Sequence, residues 1–437
     1  MRQMQRVIMT SSTWRRCLAT AAASENLPSS SRTPDEPGEA NATSSSDKRR
    51  HRTSDLECVL AGHKNFIESL EEKLLVADKN RLYEQQNKPN VLLENLPEIE
   101  RRTLINARLV PVGSRVSGLS SHSSDLDLVF FPLDPSIRKE FYYQFYENPE
   151  LRLRMMTVFR SLLRRELSEM GLLIREIIVL APVKVPVIIC KFLDGHVVDI
   201  QFPRRRFESI RNTAMLRIYN SMDPRLGRLF LWLRTLCNAL EIRNSKHGLL
   251  SSYHLLMLLI HFLQSAECQG ATPILPVLAE THTNLIRKVP IDELSQQLCL
   301  PQLPPDYSVW QSQNKQTTAE LAIRFVDYYA NRIDLRNYNI SIANGNTQRK
   351  RIPKNHLFIA DPFTWSKSVC SSQIALDAFS AGMQFTWRRM VTGTAIDTFP
   401  DFPETSDFQN ETKYSSWRRA ANRRAQVVIE RIEKVTR

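Results

Sequence analysis

Two aspartates and a Gly-Ser pair form the part of this sequence best suited to chemistry. In LVPVGSRVSGLSSHSSDLDLVFF, residues 109–131, ten residues separate Gly113-Ser114 from Asp125 and Asp127. The apolar run after Asp127 predicts that both carboxylates lie at the start of a buried strand. Residues i and i+2 of a strand point to one face, about 6–7 Å apart along it. The pair could therefore share two divalent cations.

A third carboxylate and a phosphate-binding turn would complete such a site. Asp199 alternates with apolar neighbours in KFLDGHVVDIQF, residues 191–202, so we predict that it also lies on a strand. The backbone N–H groups and the hydroxyl of Gly113-Ser114 could hold a phosphate. An isolated Asp-x-Asp is more often a solvated loop, but these residues together indicate a site for a nucleoside triphosphate and two metal ions.

The hydrophobic pattern predicts the elements that position these residues. Residues 136–171 predict one or two helices. The later strands are predicted within 174–202, among them Val183–Ile189, with Gly195 at a turn before the strand of Asp199. The order is therefore a strand with Asp-x-Asp, helix, then strands with a single aspartate.

The flanking regions are predicted to be helical. Before the strands, apolar residues including Leu70 and Leu74 recur at helical spacing, and a second helix follows Pro97. After Pro203 the pattern is mainly helical up to about residue 335.

Composition indicates a basic protein of two or three domains. Its 437 residues are 42% hydrophobic and carry a net charge of +13, which favours an anionic partner, with nucleic acid the leading candidate. Seven scattered cysteines contain no C-x-x-C pair, so we predict free thiols in a reducing compartment and no zinc site. The longest apolar stretch, Leu255–Leu263, is interrupted by His261 and is too short to span a bilayer, so no membrane association is predicted.

The N-terminus has the composition of a targeting segment. Residues 1–24 contain four arginines and no acid, which is typical of a mitochondrial presequence but also of a disordered basic tail. Residues 25–54 are poor in apolar side chains and are predicted to be a disordered linker. Both the mitochondrion and the cytoplasm therefore stay open as an intracellular location.

The strand and helix order around the three aspartates resembles the palm of the DNA-polymerase-β-like nucleotidyltransferases. Over about residues 95–390 the chain is similar to the noncanonical poly(A) polymerases and terminal uridylyltransferases. The resemblance implies a two-lobed α+β fold, with a mixed-sheet palm at 109–203 and a helical central and PAP-associated domain at 55–108 and 204–395. The remaining parts are a disordered 1–54 and a basic C-terminal tail at 396–437. The body looks closest to cytoplasmic members, whereas the run at 366–373 resembles the mitochondrial one.

The resemblance also assigns nucleotide contacts in the helical domain. In RNTAMLRIY, residues 211–219, Asn212 is expected to bond the ribose and Thr213 to support it. The family's two triphosphate-binding lysines, four residues apart on one helix face, fall on Arg234 and Asn238. Arg234 keeps the charge, but Asn238 does not, so half of that clamp is missing from the expected place.

Two later segments carry the remaining contacts that the family implies. In GLLSSYHLLMLLIHFLQ, residues 248–264, Ser252 would touch the triphosphate and Tyr253 would stack on the base. In HLFIADPFTWSKSV, residues 356–369, Asp361 aligns with an acidic residue near the base edge. The position that is histidine in uridylyltransferases is Lys367, so ATP is the expected substrate rather than UTP.

The implied function is template-independent addition of adenosine to RNA 3′ ends. Asp125 and Asp127 would bind two Mg²⁺ or Mn²⁺ ions, and Asp199 would complete the ion that activates the RNA hydroxyl and could accept its proton. The RNA end would lie between the lobes, with the basic runs Arg204–Arg206 and Arg349–Arg351 near its phosphates. The sequence shows no accessory RNA-binding module, so an RNA-binding protein partner is expected to supply specificity.

Three alternatives to a poly(A) polymerase stay open. The first is a terminal uridylyltransferase or an enzyme with mixed nucleotide preference, which Lys367 is expected to decide. The second is an inactive RNA-binding scaffold, which the intact set of three aspartates argues against. The third is a related enzyme acting on a small molecule or a protein, against which the net charge of +13 weighs.

Overall fold

The structure is a computed structural model of the chain. It describes residues 55–87, 91–104, 106–121, 124–204, 206–265, 272–286, 288–303, 310–345, 347–350, 355–364, 366–402 and 405–436. The predicted presequence at 1–24 and the predicted linker at 25–54 lie outside the described residues. Those predictions therefore stay predictions.

The elements up to the last strand of the palm include both helices and strands, as the sequence predicts. They are, in chain order, α1 Lys64–Asn87, α2 Val91–Glu94, α3 Leu96–Thr103, β1 Ala107–Val112, α4 Ser114–Ser117, β2 Leu126–Pro132, α5 Pro135–Glu147, α6 Pro149–Glu169, β3 Ile174–Leu180, β4 Val187–Phe192 and β5 Val197–Gln201. The predicted helical region 136–171 thus forms two helices. Each begins with a proline in its first turn after a capping Asp134 or Asn148.

The remaining elements are mainly helical, with four short strands. They are α7 Glu208–Met222, α8 Pro224–Ala239, a 3₁₀ turn Ser245–His247, α9 Ser252–Gln264, α10 Leu278–Thr281, α11 Thr283–Ile286, α12 Ile291–Cys299, α13 Thr318–Asp327, a π-helical turn Tyr328–Arg332, β6 Tyr338–Ile340, β7 Thr347–Arg349, β8 Ile359–Ala360, β9 Ser368–Cys370, α14 Gln373–Val391, α15 Thr394–Asp397, α16 Thr405–Thr412 and α17 Ser416–Thr436. The expected mixed α+β class is confirmed.

The described residues divide into two compact units. The first unit takes its residues from Asn90–Pro111 and Asp125–Glu208, and the second from Arg50–Pro89, Val112–Ser124 and Ser209–Arg437. The first unit holds a five-stranded sheet in the order β1-β2-β5-β4-β3. In it β2 and β5 are parallel, whereas β3, β4 and β5 follow one another antiparallel.

One face of this sheet is covered by an aromatic core. Phe130 of β2 lies 5.2 Å from Phe202, which follows β5, and Phe202 lies 5.3 Å from Phe145 of α5, measured between ring centroids. Leu128 pairs with Ile200 in the register of the two strands. Because side chains alternate along a strand, burying these residues sends the polar positions of β2 and β5 to the opposite face.

The predicted strand Val183–Ile189 is wrong in its boundaries. The structure has β3 at Ile174–Leu180 and β4 at Val187–Phe192, and the residues between them form a loop. Pro186 lacks the N–H that a central strand needs, so pairing begins only after it. Gly195, with φ of 86°, lies at the turn between β4 and β5 as predicted.

The predicted division at residues 108 and 109 also differs from the structure. Helix α3, which was expected in the helical domain, packs against α6 of the first unit. It buries Leu96 and Ile99, and Arg102 lies 3.6 Å from a carboxylate oxygen of Glu166. The segment is too short for its hydrophobic pattern to indicate which neighbouring element its apolar face packs against.

The segment Val112–Ser124 belongs to the second unit although it joins two palm strands. The Asn220 amide donates to the Ser117 carbonyl at 3.1 Å, and the Gln85 amide donates to the Ser120 hydroxyl at 2.7 Å. Arg81 donates to the Gly118 carbonyl. Because α1 and α7 supply these bonds, the palm as predicted at 109–203 is interrupted by residues that the helical unit holds.

The second unit is built around α8, α9, α13 and α14. Leu70 and Leu74 of α1 are fully buried in its core, whereas Phe66 and Leu75 at neighbouring positions remain about 40% exposed. A four-stranded sheet in the order β7-β6-β8-β9 adds to this unit. Its strands are only two or three residues long, too short to give the alternation from which strands are predicted.

The expected C-terminal tail at 396–437 is a packed part of the second unit. Phe408 of α16 and Trp417 and Ala421 of α17 are buried in the core, and α17 contacts α14 and the 3₁₀ turn Ser245–His247. The segment is therefore not a detached arm. Among its described basic residues, Arg419, Arg423 and Arg424 of α17 are exposed.

Two sequence expectations about the wider chain can be compared with the described residues. None of the five cysteines that the structure describes forms a disulfide. Within the described ranges, no helix combines the length and the apolar character that crossing a bilayer requires.

Buried His261 is expected to make stability depend on pH. Burial lowers its pKa from 6.5 to about 4, so between these values the unfolded chain takes up a proton that the folded chain does not. Stability is therefore present above pH 6.5 and lost as the pH falls toward 4. We expect the free energy of unfolding of the unchanged protein, relative to that of His261→Leu, to fall by about 2 kcal/mol between pH 6.5 and 5, measured by urea unfolding of both proteins.

The control for this effect is a second histidine substitution. His261→Leu should remove most of this pH dependence, whereas His196→Gln, at an exposed position of the first unit, should keep it. Equal pH profiles for His261→Leu and the unchanged protein would refute the assignment to His261.

Candidate active site

The three predicted carboxylates meet on the sheet of the first unit. Asp127 of β2 pairs with Asp199 of β5 in the register of the parallel strands, so their side chains leave the same face of neighbouring strands. Asp125 directly precedes β2 and is exposed. The face is the one opposite the aromatic core, as the alternation requires. The structure therefore brings these three residues together.

A fourth polar side chain completes this face. The Gln201 amide, two residues beyond Asp199, donates to Oδ1 of Asp127 at 3.1 Å. The sequence analysis missed Gln201, although its i+2 spacing from Asp199 on the same strand was a usable signal. Its hydrogen bond fixes one oxygen of Asp127 and leaves the other directed elsewhere.

The carboxylates oppose each other's ionisation. The pKa of Asp127 is raised from 3.8 to about 7, first by burial, then by the charges of Asp199 and Asp125, and the Gln201 hydrogen bond lowers it only in part. Asp199 likewise contributes, after burial, to raising the pKa of the Cys190 thiol to about 12. A buried set of like charges is costly unless a cation offsets it.

The donor set fits magnesium. Carboxylate oxygens are hard ligands, and Mg²⁺ is commonly held by one or two carboxylates while water and phosphate oxygens complete its coordination. Among the described residues no group of three or more His, Cys, Asp or Glu side chains is by itself arranged to hold a metal ion. An ion at these carboxylates would therefore need further ligands from water or from a substrate.

The predicted phosphate-binding turn lies in the second unit. Gly113 has φ of 80°, which favours glycine, and precedes the single turn of α4 that begins at Ser114. The Gly113 N–H donates to the Thr213 hydroxyl at 3.0 Å, and that hydroxyl donates to the Ser209 carbonyl at 2.7 Å. Thr213 therefore ties this turn to α7, and its expected support of a ribose contact stays a prediction.

Asn212 is the neighbour of Thr213 on α7. Its side-chain Oδ1 is buried and has no hydrogen-bond partner among the described residues. Such an atom costs free energy unless a ligand or water satisfies it. A sugar hydroxyl is a suitable donor to this oxygen. The expected ribose contact therefore stays a prediction, which the unsatisfied buried oxygen supports.

The expected triphosphate residues lie on α8 and at the start of α9. Arg234 is half-buried beside the Phe230 ring, and burial, then the charges of Arg243 and Arg81, lower its pKa to about 10. Asn238 lies one turn further and is exposed. Arg243 donates through Nε to Asn238 Oδ1 at 2.6 Å and through Nη1 to Ser252 Oγ at 2.8 Å. The sequence analysis missed Arg243 because it lies in a loop without periodicity.

Tyr253 and His254 follow Ser252 on the first turn of α9. Tyr253 is partly buried against the core of the second unit. His254 accepts at Nδ1 from the Ser251 N–H and faces the Val369 carbonyl with Nε2 at 3.0 Å. This arrangement requires a proton on Nε2, and it links the start of α9 to β9, two residues beyond Lys367.

Asp361 closes the turn that leads to Lys367, where a contact with the base is expected. Its buried carboxylate accepts from the N–H groups of Phe363 and Thr364 at 2.8 and 2.7 Å. The Asp361 N–H in turn donates to the Lys367 carbonyl at 2.8 Å. Asp361 thus has a structural role in the turn that presents Lys367, whose side chain is exposed.

The two basic runs differ from a simple phosphate-contacting surface. Arg204 is exposed, with its guanidinium 5.2 Å from the Tyr146 ring centroid. Lys350, in the middle of the second run, is buried and donates to the Leu335 and His356 carbonyls at 2.8 and 3.1 Å. Arg205 and Arg351 lie outside the described residues.

Comparison with known proteins agrees with this geometry. Residues 70–221 match the family model described as the central palm domain of mitochondrial-like poly(A) RNA polymerase. Human poly(A) RNA polymerase GLD2 is 28% identical over 266 residues, covering 60% of this chain and 49% of that protein. The chain spans about half or less of the length of the curated relatives it matches, 19% for a Drosophila melanogaster gld-2 homolog.

Solved structures share the fold at lower identity. A GLD-2/RNP-8 complex gives a TM-score of 0.56 at 22% identity, covering 82% of this chain and 98% of that one. A Cid1 poly(U) polymerase with MgGTP bound gives 0.55 at 21% identity, covering 79% and 98%. The palm match, the relatives and the fold agree with the paired carboxylates of β2 and β5. Residues 70–221 thus resemble the palm domain of mitochondrial-like poly(A) RNA polymerase, and the chain is similar in sequence to poly(A) RNA polymerases and in fold to GLD-2 and Cid1.

Proposed function

We propose that this chain is a template-independent RNA nucleotidyltransferase that adds adenosine from ATP to RNA 3′ ends. The observation that carries the proposal is the pairing of Asp127 with Asp199 on neighbouring parallel strands, with Asp125 beside them. The raised pKa of Asp127 supports it, because mutual repulsion gives these residues no benefit to stability. A pure scaffold would gain nothing from keeping all three.

The carboxylates have distinct tasks in this reaction. Asp125 and Asp127 would hold the divalent ions, and Asp199 is assigned as the acceptor of the proton from the RNA 3′-hydroxyl. When bound, two such ions stabilise charge on the attacking and leaving oxygens of a phosphoryl transfer. Gln201 keeps Asp127 in position through its hydrogen bond. We propose Mg²⁺ as the ion, in keeping with the oxygen donors and with the MgGTP bound by Cid1.

The nucleotide contacts are proposed for residues of the second unit. Gly113, Ser114, Arg234 and Ser252 are assigned to the phosphates, Asn212 to the ribose, and Tyr253 to the base. The buried Oδ1 of Asn212 and the half-buried cation of Arg234 support these assignments. Thr213 and Asp361 act through the backbone they hold.

Uridine transfer is the second candidate. It is favoured by the likeness to Cid1, described as a poly(U) polymerase, whose TM-score nearly equals that of GLD-2. ATP is preferred in our proposal because Lys367 stands where uridylyltransferases are expected to have histidine, and because the relatives at 28% identity are poly(A) RNA polymerases.

A protein partner completes the proposal. GLD-2 has been solved in a complex with RNP-8, so a nucleotidyltransferase of this fold can work with a second chain. We propose that a partner that binds RNA selects the targets. The hypothesis fails if the chain alone selects the same RNAs in cells as it does with its partners.

The deciding experiment uses the full chain, a labelled short RNA and each of the four nucleoside triphosphates. With Mg²⁺ present, we expect extension of the RNA, most efficiently with ATP. Absence of extension with all four triphosphates, for a protein that is folded, would refute the enzymatic proposal. Extension mainly with UTP would select the second candidate.

RNA binding is expected to depend strongly on salt and on an exposed basic cluster. Lys246, Arg423 and Arg424 line a cavity of about 520 Å³ at the contact of the 3₁₀ turn with α17. Each phosphate contact to a single strand contributes about 0.7 to the slope of log K against log salt. Replacing Arg423 and Arg424 by alanine should therefore reduce that slope by about 1.4, so the loss of affinity relative to the unchanged protein should be about sevenfold larger at about 50 mM than at about 200 mM salt.

The control separates a local contact from net charge. Arg388→Ala also removes a positive charge at an exposed position, but this arginine is paired with Glu411 at 2.5 Å. It should change the slope little. A salt-independent affinity, or equal effects of the two replacements per charge removed, would refute an RNA contact at this cluster.

A further inference from the structure

Two arginines of the second unit stand close together without an acidic partner. Arg234 and Arg243 are both partly buried, and no carboxylate among the described residues acts on either of them. The nearby Arg81 differs, since Asp78 neutralises it at 2.6 Å. Two desolvated like charges are unfavourable unless an anion lies between them.

The two neutral side chains that accept hydrogen bonds from Arg243 still have donors to offer a ligand. Asn238 uses Oδ1 to accept from Arg243, which leaves its NH₂ group as a donor. Ser252 accepts from Arg243 through Oγ, so its hydroxyl hydrogen is directed to another acceptor. Arg234, Asn238, Arg243 and Ser252, here called the donor cluster, therefore present two positive charges and additional donors. The ligand that matches this chemistry is a polyanion.

We propose that Arg243 supplies the second cation of the triphosphate site, and that Asn238 and Ser252 orient its guanidinium. The assignment rests on the proposed function for the identity of the anion. Asn238, one helical turn after Arg234, lacks the charge expected at that position, and the arginine five residues later occupies its vicinity instead. The site thus has the two positive charges that the family's two lysines imply, but Arg243 supplies the second one instead of residue 238.

The position also explains why Asn is suited to residue 238. A lysine there would repel Arg243, whereas an aspartate would neutralise it in an ion pair. The amide does neither, and its oxygen holds the guanidinium at 2.6 Å. The positive charge of Arg243 is therefore available to a ligand, because no carboxylate at position 238 neutralises it.

Binding of ATP to the full chain, measured by calorimetry with Mg²⁺ and without RNA, tests the proposal. Arg243→Ala should weaken ATP binding about tenfold or more, because hydrogen bonds between charged groups are lost. Inorganic tripolyphosphate, measured by competition with ATP, should lose a similar factor, which places the effect on the phosphates. Arg243→Lys should recover part of the affinity.

A charge-relocation variant makes the test specific. Adding Asn238→Lys to Arg243→Ala restores a cation four residues after Arg234 on the same helix face, and ATP affinity should return to within about threefold of the original. The matched control is Arg217→Ala, since Arg217 is also partly buried and donates to neutral acceptors, the carbonyls of Gln297, Leu300 and Pro301. Arg217→Ala should lower the stability of the protein but leave its affinity for ATP and for tripolyphosphate unchanged.

Two outcomes would overturn the assignment. One is an ATP affinity of Arg243→Ala within about twofold of the original. The other is an equal loss in Arg217→Ala together with no recovery by Asn238→Lys, which would show that Arg243 only stabilises the fold. Because these measurements omit RNA, they separate this inference from the proposed function, which fails if the unchanged protein extends no RNA or extends it mainly with UTP.

Discussion

Asp127→Asn should abolish nucleotide addition and yet stabilise the metal-free protein. The asparagine keeps an acceptor for Gln201, which donates at 3.1 Å, but it removes a ligand charge from the two-metal site. Loss of several kcal/mol of transition-state stabilisation corresponds to about a thousandfold or more in rate. The same change removes one of three mutually repelling carboxylates.

The stability effect has a defined pH dependence. The pKa of Asp127 is about 7 in the folded chain and 3.8 by reference for the unfolded chain. A raised pKa contributes stability that is present at low pH and is lost as the pH rises through 7. The asparagine variant has no such loss, so its advantage without metal should be about 1 kcal/mol or more at pH 8 and should shrink toward pH 5.

Thermal unfolding with EDTA and primer-extension rates with Mg²⁺ measure the two halves of this prediction. Asp194→Asn is the matched control, because Asp194 is an exposed aspartate in the β4–β5 turn of the same unit. It should leave the extension rate unchanged. Extension by Asp127→Asn within about tenfold of the original rate would contradict the metal-site assignment, and a large drop in its stability would contradict the repulsion argument.

Lys367→His should shift nucleotide choice toward UTP. Lysine offers three donors and no acceptor, whereas a neutral histidine offers one donor and one acceptor on a shorter side chain. Lys367 is exposed at the end of the turn that Asp361 closes, so the replacement should not disturb packing. A good hydrogen bond to a base is worth about 1–3 kcal/mol of discrimination, so the UTP-to-ATP ratio should rise by about tenfold to a hundredfold.

Competition between equal ATP and UTP on one RNA primer measures this ratio. Ser366→His, at the preceding exposed position, tests whether the effect belongs to position 367. An unchanged ratio in Lys367→His would place base choice elsewhere, and Asp361→Asn would then be the next variant. That replacement retains an acceptor for the N–H groups of Phe363 and Thr364, so it changes charge while preserving the turn.

The sequence predicted the carboxylates well because strand alternation is a local property. Asp127 and Asp199 were expected on strands, and burial of Phe130 and Phe202 on one face leaves the aspartates on the other. The parallel pairing of β2 with β5, which brings the aspartates side by side, is a long-range contact that a local pattern only suggests. Their role in catalysis stays a prediction.

The features that were missed have a common physical cause. Arg243 reaches the donor cluster from an irregular loop, and the segment 112–124 is held by side chains from helices far away in the sequence. The short strands β6 to β9 pair through one to three residues each. In each case the stabilising contact is tertiary, so neither propensity nor periodicity carries its signal.

The burial of α1 has a consequence for the synthesis of the chain. Glu71 accepts from the N–H of Ala319, 248 residues later, and α1 packs against α13 and α15. At a synthesis rate of about 5–20 residues per second, on the order of tens of seconds pass between the synthesis of Leu70 and Leu74 and the synthesis of α13 and α15. During this interval the apolar stripe of α1 is exposed. We expect chaperones that bind exposed hydrophobic helices to bind the nascent chain there.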